Sequence, residues 1–105
     1  MLFSINSGLL EACVLAFLSA EDSYGYKLTQ DVKDVMSISE STLYPVLKRL
    51  QTAGFLETYD MPIDGRNRKY YRITPAGKRQ QNLYCDEWKS YKELIEKIFK
   101  GAQRS

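Results

Sequence analysis

The feature that most constrains the fold is a change in hydrophobic periodicity about halfway along the chain. Before this point apolar residues recur at helical spacing. After it, the short segments FLETY and KYYRIT, rich in β-branched and aromatic residues, flank a loop that contains Pro62, Asp64 and Gly65. This pattern predicts a two-stranded β-hairpin that follows a helical region. With 105 residues in all, the chain has room for one small domain.

The first two helical segments differ in polarity. Residues 8–20, GLLEACVLAFLSA, are apolar on nearly every face, which predicts a central helix covered on several sides. The next segment predicts a short amphipathic helix, for which Asp22 or Ser23 is the expected N-terminal cap. Its apolar positions, spaced i, i+4 and i+7, are Leu28, Val32 and Val35.

The third segment, STLYPVLKRLQTAGF, predicts a helix that begins close to Ser41 and stops at Gly54. Pro45 lacks an amide hydrogen and suits the first turn of such a helix. Together with the preceding helix and a tight turn, this segment predicts a helix-turn-helix. Its apolar stripe is Leu43, Val46, Leu47 and Leu50. Its other faces carry polar and basic side chains that suit contacts with DNA, namely Ser41, Thr42, Tyr44, Lys48 and Arg49.

Residues 65–79, GRNRKYYRITPAGKR, contain six basic residues and no acidic one, although the chain has a net charge of only +2. In a winged helix-turn-helix, Arg66, Arg68 and Lys69 would lie at the tip of the wing. There they could bind phosphates, because each neutralised phosphate releases counterions. The alternative is a solvated hairpin whose charges prevent an edge strand from pairing with other molecules. The preceding helix-turn-helix favours the DNA-binding interpretation.

The remaining segment predicts a long helix that is capped by Thr74, begins at Pro75 and runs to about Lys100, with Gly101 as its stop. Its apolar residues are spaced 4, 3, 4 and 3, which is a heptad seam. A helix of this length has few neighbours in so small a domain, so we expect the seam to contact a second copy. The predicted dimer interface is Tyr84, Trp88, Tyr91, Ile95 and Ile98, widened by Leu83, Leu94 and Phe99.

The composition disfavours several classes of function. The chain has no histidine, the commonest general base and transition-metal ligand. Cys13 and Cys85 are far apart and fit neither a zinc site nor a redox pair. No apolar run reaches the roughly 18–20 residues that span a bilayer, and the start of the chain lacks the pattern of a signal peptide. We therefore expect a cytoplasmic protein that is not an enzyme and holds no metal or other cofactor.

The chain resembles the PadR-like transcriptional regulators over almost its whole length. The resemblance rests on YGYKL at 24–28, STLYPVLKRLQTAGFL at 41–56 and GRNRKYYRITPAGK at 65–78, in the order and spacing of that family. It implies a homodimeric winged-helix regulator, usually a repressor, that binds an inverted-repeat operator. The short tail after the last helix is similar to that of a subgroup that dimerises through this helix. The residues that match the family's recognition helix and basic wing are Ser41, Thr42, Tyr44, Lys48, Arg66, Arg68 and Lys69.

The predicted fold is thus mainly α with a small β-hairpin. We expect a winged helix-turn-helix DNA-binding domain over residues 1–74 and a carboxy-terminal dimerisation helix over residues 75–105. The two parts would form one compact unit.

The resemblance also implies a ligand site at the subunit interface. Some short-tailed relatives bind flat hydrophobic compounds between subunits through a tryptophan of the last helix, and Trp88 matches that position. An aromatic seam can leave a gap in which Tyr84, Trp88 and Tyr91 stack on a planar effector. The alternative is that Trp88 fills the core of the dimer. Lys92 stands where a carboxylate would favour cationic ligands, so the sequence does not predict a cationic effector.

A competing hypothesis is a winged-helix module that binds an acidic protein surface. Such a module would bind duplex DNA weakly and with strong salt dependence, without preferring an inverted repeat.

Overall fold

The computed structural model describes residues 7–103, which form four α-helices and three β-strands. In chain order these are α1 (Ser7–Ala20), β1 (Ser23–Tyr24), α2 (Gly25–Lys33), α3 (Glu40–Thr52), β2 (Leu56–Ile63), β3 (Arg66–Ile73) and α4 (Pro75–Gln103). The predicted mainly helical winged helix-turn-helix with a long last helix is confirmed. The proposed division at residue 74 stays a prediction. Residues 1–6, where we expect no signal peptide, and residues 104–105 lie outside the described part.

Helix α1 lies at the centre of the core and contacts α2, α3, β3 and α4. Its Val14 and Leu15 are completely buried, which confirms the predicted central helix. The predicted stripe of α3 is also buried, because these four leucine and valine side chains fill the space beside α1 and α2. The buried apolar core is Leu10, Val14, Leu15, Leu18, Leu28, Val32, Met36, Leu43, Val46, Leu47, Leu50, Leu56, Tyr71 and Ile73.

Helix α3 ends in a left-handed turn that directs the chain into the sheet. Gly54 has a φ of +83°, a conformation that glycine adopts at low cost. The Phe55 amide donates to the Leu50 carbonyl at 2.9 Å, and the Gly54 amide donates to the Gln51 carbonyl at 3.0 Å. These two bonds form a Schellman motif, which satisfies carbonyls at the helix end. The predicted stop at Gly54 is confirmed.

The sheet has three antiparallel strands in the order β1-β3-β2, and not the two strands that the sequence predicts. We call β2, β3 and the turn between them the wing. The turn consists of Asp64 and Gly65, with φ values of 52° and 76°, as a tight two-residue hairpin turn requires. Pro62 lies within β2 and not in the loop, since it pairs in register with Asn67. Proline is tolerated there because β2 is an edge strand.

The start and end of α2 differ from the predictions. Neither Asp22 nor Ser23 caps the helix: Ser23 belongs to β1, and the N-cap is Tyr24, without a side-chain cap bond. Pairing with β3 holds this segment extended, and that constraint replaces a side-chain cap. Val35 lies beyond the end of α2 and is 62% exposed, whereas the neighbouring Met36 is buried.

The start of α4 is fixed by Thr74, as predicted. The Thr74 hydroxyl accepts a hydrogen bond from the Gly77 amide at 3.0 Å and donates one to the Gly54 carbonyl at 2.6 Å. Gly77 sits so close to the preceding loop that a Cβ there would lie 2.2 Å from the Phe55 carbonyl oxygen. The junction between the wing and α4 is therefore tight.

The predicted stop at Gly101 is wrong, because α4 continues to Gln103. Gly101 does not have the positive φ of a helix-ending glycine, and the alanine and glutamine that follow it are good helix formers. At 29 residues α4 is about 44 Å long. Within residues 7–103, none of the helices is sufficiently long and apolar to cross a membrane.

Candidate nucleic-acid interface

The outward face of α3 carries all five side chains that the sequence assigns to DNA contact. Ser41, Thr42, Tyr44, Lys48 and Arg49 are each exposed, on the sides of the helix away from the buried stripe. This arrangement follows from the helical period, because burial of the four apolar residues leaves the intervening positions facing solvent.

Hydroxyl groups cluster at the N-terminus of α3. The Oγ of Ser39, the N-cap residue, lies 2.7 Å from the Ser41 Oγ and 3.4 Å from the Thr42 Oγ1. The Ser39 side chain does not cap the helix, and its carbonyl accepts from the Thr42 amide at 3.1 Å. The cluster therefore presents adaptable donors and acceptors to a base edge or a phosphate.

Tyr44 is restrained from two sides. Its ring lies against Gly25 so closely that a Cβ at Gly25 would be 2.6 Å from the Tyr44 Cε1. Its hydroxyl donates to the Glu40 Oε2 at 3.2 Å. Partial burial and this hydrogen bond raise the pKa of Tyr44, so the phenol is neutral at physiological pH. Because the ring is still 45% exposed, Tyr44 is an oriented aromatic donor at the edge of α3.

A groove of 330 Å³, which we call the wing groove, separates α3 from the wing. It brings Tyr44 of α3 together with Arg68 and Lys69 of β3. The guanidinium carbon of Arg68 lies 4.9 Å from the centroid of the Tyr24 ring. The Arg68 Nε is buried, and within residues 7–103 no atom accepts a hydrogen bond from it. The full lining is Tyr24, Gly25, Tyr26, Tyr44, Asn67, Arg68, Lys69 and Tyr71.

The face of the wing that carries Arg68 is stiffened by stacked tyrosines. The Tyr70 ring lies 5.3 Å from Tyr24 and 5.6 Å from Tyr59, centroid to centroid. The Tyr59 hydroxyl donates to the Asp22 Oδ2 at 2.7 Å, a bond that raises the pKa of Tyr59. These contacts tie both strands of the wing to the segment that precedes α2. Arg66, beside the turn, is exposed at the wing tip.

Arg49 has a different environment from the other predicted residues. Its Nε donates to the Glu11 Oε1 of α1 at 3.0 Å, and Arg49 does not line the wing groove. Arg49 and Lys48 instead border a 680 Å³ groove between α3 and α1, to which α1 contributes Glu11. The second carboxylate oxygen of Glu11 accepts from the Tyr84 hydroxyl of α4 at 3.1 Å.

The three predicted effector residues lie together in a shallow depression of 230 Å³ between α1 and α4, which we call the α1–α4 groove. Tyr84 is half-buried against the core, and its burial raises its pKa. Trp88 is 48% exposed, and Tyr91 is also exposed. The lining residues are Gly8, Leu9, Ala12, Tyr84, Glu87, Trp88 and Tyr91.

Sequence reasoning missed two parts of this surface. Tyr24 and Gly25 line the wing groove without having been assigned to it, although an aromatic pair around a glycine is a signal of close packing. Glu11 was missed as the partner of Arg49. Its signal is that it is the sole charged residue of the otherwise apolar α1, and such a residue needs a partner.

A helix-turn-helix in which α3 faces a basic wing across a groove is the arrangement of a winged-helix DNA-binding protein. The comparison with protein families agrees with this class. Residues 14–82 match the Transcriptional regulator PadR-like family, and the chain belongs to this family. Its members are transcriptional regulators and not enzymes, and they bind DNA and typically dimerise. The predicted family is confirmed.

Individual relatives are similar to this chain over most of its length. The crystal structure of smu.1704 from Streptococcus mutans is 44% identical and has a TM-score of 0.91, covering 96% of this chain and 95% of that one. Transcriptional regulator Rv3488 of Mycobacterium tuberculosis is 32% identical over 88% of this chain and 84% of its own. A PadR-like transcriptional regulator of Bacillus cereus is 30% identical with a TM-score of 0.81, covering 88% and 92%.

Proposed function

We propose that this protein is a homodimeric, sequence-specific repressor that binds an inverted-repeat operator. The observation that carries the proposal is the wing groove, where Tyr44 of α3 and Arg68 of β3 face the same space. Residues 1–74 bind DNA, and the helix within residues 75–105 joins the two subunits.

The side chains divide into base-reading and phosphate-binding groups. Ser41, Thr42, Tyr44 and Lys48 enter the major groove with α3, where hydroxyl and amino groups can bond base edges. Arg66, Arg68 and Lys69 bind the phosphate backbone beside it. The contact of the Arg68 guanidinium with the Tyr24 ring favours this role, because it holds the cation in place beside the wing groove. Arg49 is left out of both groups because its Nε is bound to Glu11.

The exposed apolar face of α4 supports the dimer. Contiguous exposed apolar surface on a small protein indicates an interaction site. Two copies of α4 packed along a heptad seam would be related by a two-fold axis, and a two-fold dimer matches an inverted repeat. The exposed residues of this face are Trp88, Tyr91 and Ile98, flanked by Leu83, Leu94 and Phe99, and its Tyr84 and Ile95 are half-buried.

The α1–α4 groove supports a role for a planar aromatic or hydrophobic effector. At 230 Å³ it is smaller than the roughly 300–1,000 Å³ of an ordinary ligand pocket, so a second subunit would have to complete it. The exposed rings of Trp88 and Tyr91 would then stack on the ligand. Such a ligand relieves repression if it binds more tightly to the arrangement of subunits that does not bind DNA.

Selection of duplexes from a random pool tests the DNA-binding proposal. We expect an inverted repeat to be enriched at near-physiological salt. Tyr44→Ala and Lys48→Ala should weaken binding to the selected duplex and leave the dimer intact. If the folded protein enriches no sequence, the proposal is wrong. The competing hypothesis of a winged-helix module that binds an acidic protein surface is then favoured.

A double variant tests the phosphate contacts. Arg66→Ala with Arg68→Ala should reduce the slope of log affinity against log salt by about two, since each phosphate contact contributes roughly one. Arg72→Ala is the matched control, because Arg72 lies on β3 but bonds Glu57 at 2.8 Å and does not line the wing groove. An unchanged slope in the double variant would show that Arg66 and Arg68 do not bind phosphates, and it would favour the alternative of a solvated hairpin.

The effector proposal needs a calorimetric test against planar aromatic compounds. Trp88→Ala should abolish the binding of any compound that binds the native dimer. Unchanged affinity in a variant that is still dimeric would show that Trp88 only fills the interface.

A further inference from the structure

Glu11 joins three helices through one carboxylate. Its Oε1 accepts from the Arg49 Nε of α3 at 3.0 Å, and its Oε2 accepts from the Tyr84 hydroxyl of α4 at 3.1 Å. Helix α1, which carries Glu11, contacts both α3 and α4. The same side chain therefore connects the helix proposed to read DNA with the helix proposed to form the dimer.

The bridge is more than a surface ion pair. The Glu11 side chain is only 18% exposed, whereas the Arg49 side chain is half exposed. A carboxylate withdrawn from water needs hydrogen-bond partners, and bonds to an ionised oxygen are stronger than those between neutral groups. Both oxygens of Glu11 are in use, so loss of either partner leaves an incompletely paired charge.

We propose that Glu11 is a positioning residue that fixes the orientation of α3 relative to α4. This inference rests on the proposed function, in which two copies of α4 hold two recognition helices at a set distance. Half-sites of a two-fold operator lie about 34–36 Å apart, or multiples of this distance, and base contacts tolerate little displacement. A bridge that resists rotation of α3 against α4 thus determines which half-site spacing the dimer accepts.

The same geometry gives Arg49 an indirect role. Arg49 acts on DNA binding through Glu11 and not by contact with a base or a phosphate. Loss of Arg49 would then alter the preference between spacings. Loss of a direct DNA contact would instead weaken binding to a single half-site and to the complete operator alike.

The test compares full-length wild type with Glu11→Gln on three duplexes. These are the selected inverted repeat, the same half-sites with the spacer changed by one base pair, and an isolated half-site. We expect Glu11→Gln to reduce the ratio of affinities for the correct and altered spacers roughly threefold to tenfold. Affinity for the half-site and the mass of the dimer should not change.

Asp31→Asn is the matched control. It makes the same change of charge and removes the ion pair of the Lys27 Nζ with the Asp31 Oδ2, which are 3.3 Å apart within α2. The ratio between spacings should stay at the wild-type value. An equal fall in this control would show that the effect of Glu11→Gln comes from charge alone and would overturn the proposal.

Two further variants keep the proposal falsifiable if Glu11→Gln does not fold. Tyr84→Phe removes the hydroxyl on one side of the bridge, and Arg49→Gln removes the cation on the other. We expect either variant to lower the ratio of affinities for the correct and altered spacers. The double variant Glu11→Gln with Arg49→Gln should lower this ratio little more than the more damaging single variant does. An additive double variant, or an Arg49→Gln loss as large on the isolated half-site as on the operator, would overturn the proposal.

Failure of the inference and failure of the proposed function have different signatures. If wild type prefers one spacing and Glu11→Gln retains that preference in full, Glu11 does not position α3. If wild type itself shows no preference among spacings, the two-fold operator model is wrong, and the role of Glu11 is overturned with it.

Discussion

The winged-helix unit, which comprises α1 to β3, buries its large apolar side chains, whereas α4 leaves many of its own exposed. In the winged-helix unit Leu15, Leu28 and Leu47 are fully buried, with at most 1% of their surface exposed. In α4 the apolar face is open, and Ile98 is 64% exposed. Burial of a large apolar side chain is worth about 1.5–3 kcal/mol. The winged-helix unit has already gained this free energy within the chain, whereas the exposed apolar residues of α4 can gain it only from a partner.

This contrast separates two kinds of stability. The stability that the core of the winged-helix unit contributes should not depend on protein concentration, because its contacts are intramolecular. The stability that the apolar face of α4 contributes should rise with protein concentration, since association stabilises the folded state by mass action. The variants below test this distinction.

Leu47→Ala should have the largest effect. Leu47 lies in the buried stripe of α3, and truncation there loses apolar contacts and leaves a cavity. We expect the free energy of unfolding to fall by about 2–5 kcal/mol, by the same amount at every protein concentration, as measured by urea denaturation. Leu47→Met is the control and should cost less than about 1.5 kcal/mol. A loss below about 1 kcal/mol for the alanine variant would contradict the assignment of this core.

Ile95→Asp should break the seam and leave the winged-helix unit folded. A carboxylate in the middle of the apolar face would be desolvated in the dimer without a partner, so we expect dimerisation to weaken about 100-fold or more. Sedimentation equilibrium gives the association constant, and circular dichroism reports the fold. Ser90→Asp puts the same charge on α4 away from the seam and should leave the dimer intact. If the two substitutions weaken dimerisation equally, the heptad seam does not form the dimer interface.

Thr74→Ala tests the junction between the two regions. The variant loses the bond from the Gly77 amide and the bond to the Gly54 carbonyl. We expect a loss of about 1 kcal/mol, near the usual cost of removing an N-terminal cap. Thr74→Ser should restore most of it in thermal denaturation. No difference between the alanine and serine variants would mean that these bonds contribute nothing.

The smallest effect is expected at alkaline pH. Burial of Tyr84, where it contacts both regions, raises its pKa above that of the unfolded chain, so the folded state keeps the phenolic proton more tightly. The resulting stabilisation is complete below about pH 10 and is lost as pH rises through the folded-state pKa. Tyr84→Phe should reduce this decline in denaturation curves measured from pH 8 to 11. An unchanged decline would show that Tyr84 does not contribute to it.

The parts of the fold that could be predicted are those with local signals. The 3.6-residue period identified the buried stripe of α3, Gly54 identified its end, and Thr74 with Pro75 identified the start of α4. Strand β1 could not be predicted, because two residues carry no periodicity and Ser23 pairs with Tyr71, far along the chain.

The candidate site was predictable in composition but not in geometry. The exposed residues of α3 and the basic residues of the wing followed from periodicity and charge. The packing of Tyr44 on Gly25 and the pairing of Arg49 with Glu11 did not, because residues that are 19 and 38 positions apart meet only in the folded chain. Sequence reasoning therefore predicts that Arg49 contacts DNA, and the structure gives it an intramolecular partner.

The most direct test of the proposed two-fold dimer is the mass of the protein alone and on its selected duplex, by size-exclusion chromatography with light scattering. We expect a particle of twice the 12.1 kDa chain in solution and two chains on each inverted repeat. A monomer at every concentration, bound as one chain per duplex with full affinity, would contradict it, since the open face of α4 would then have no partner in the functional complex.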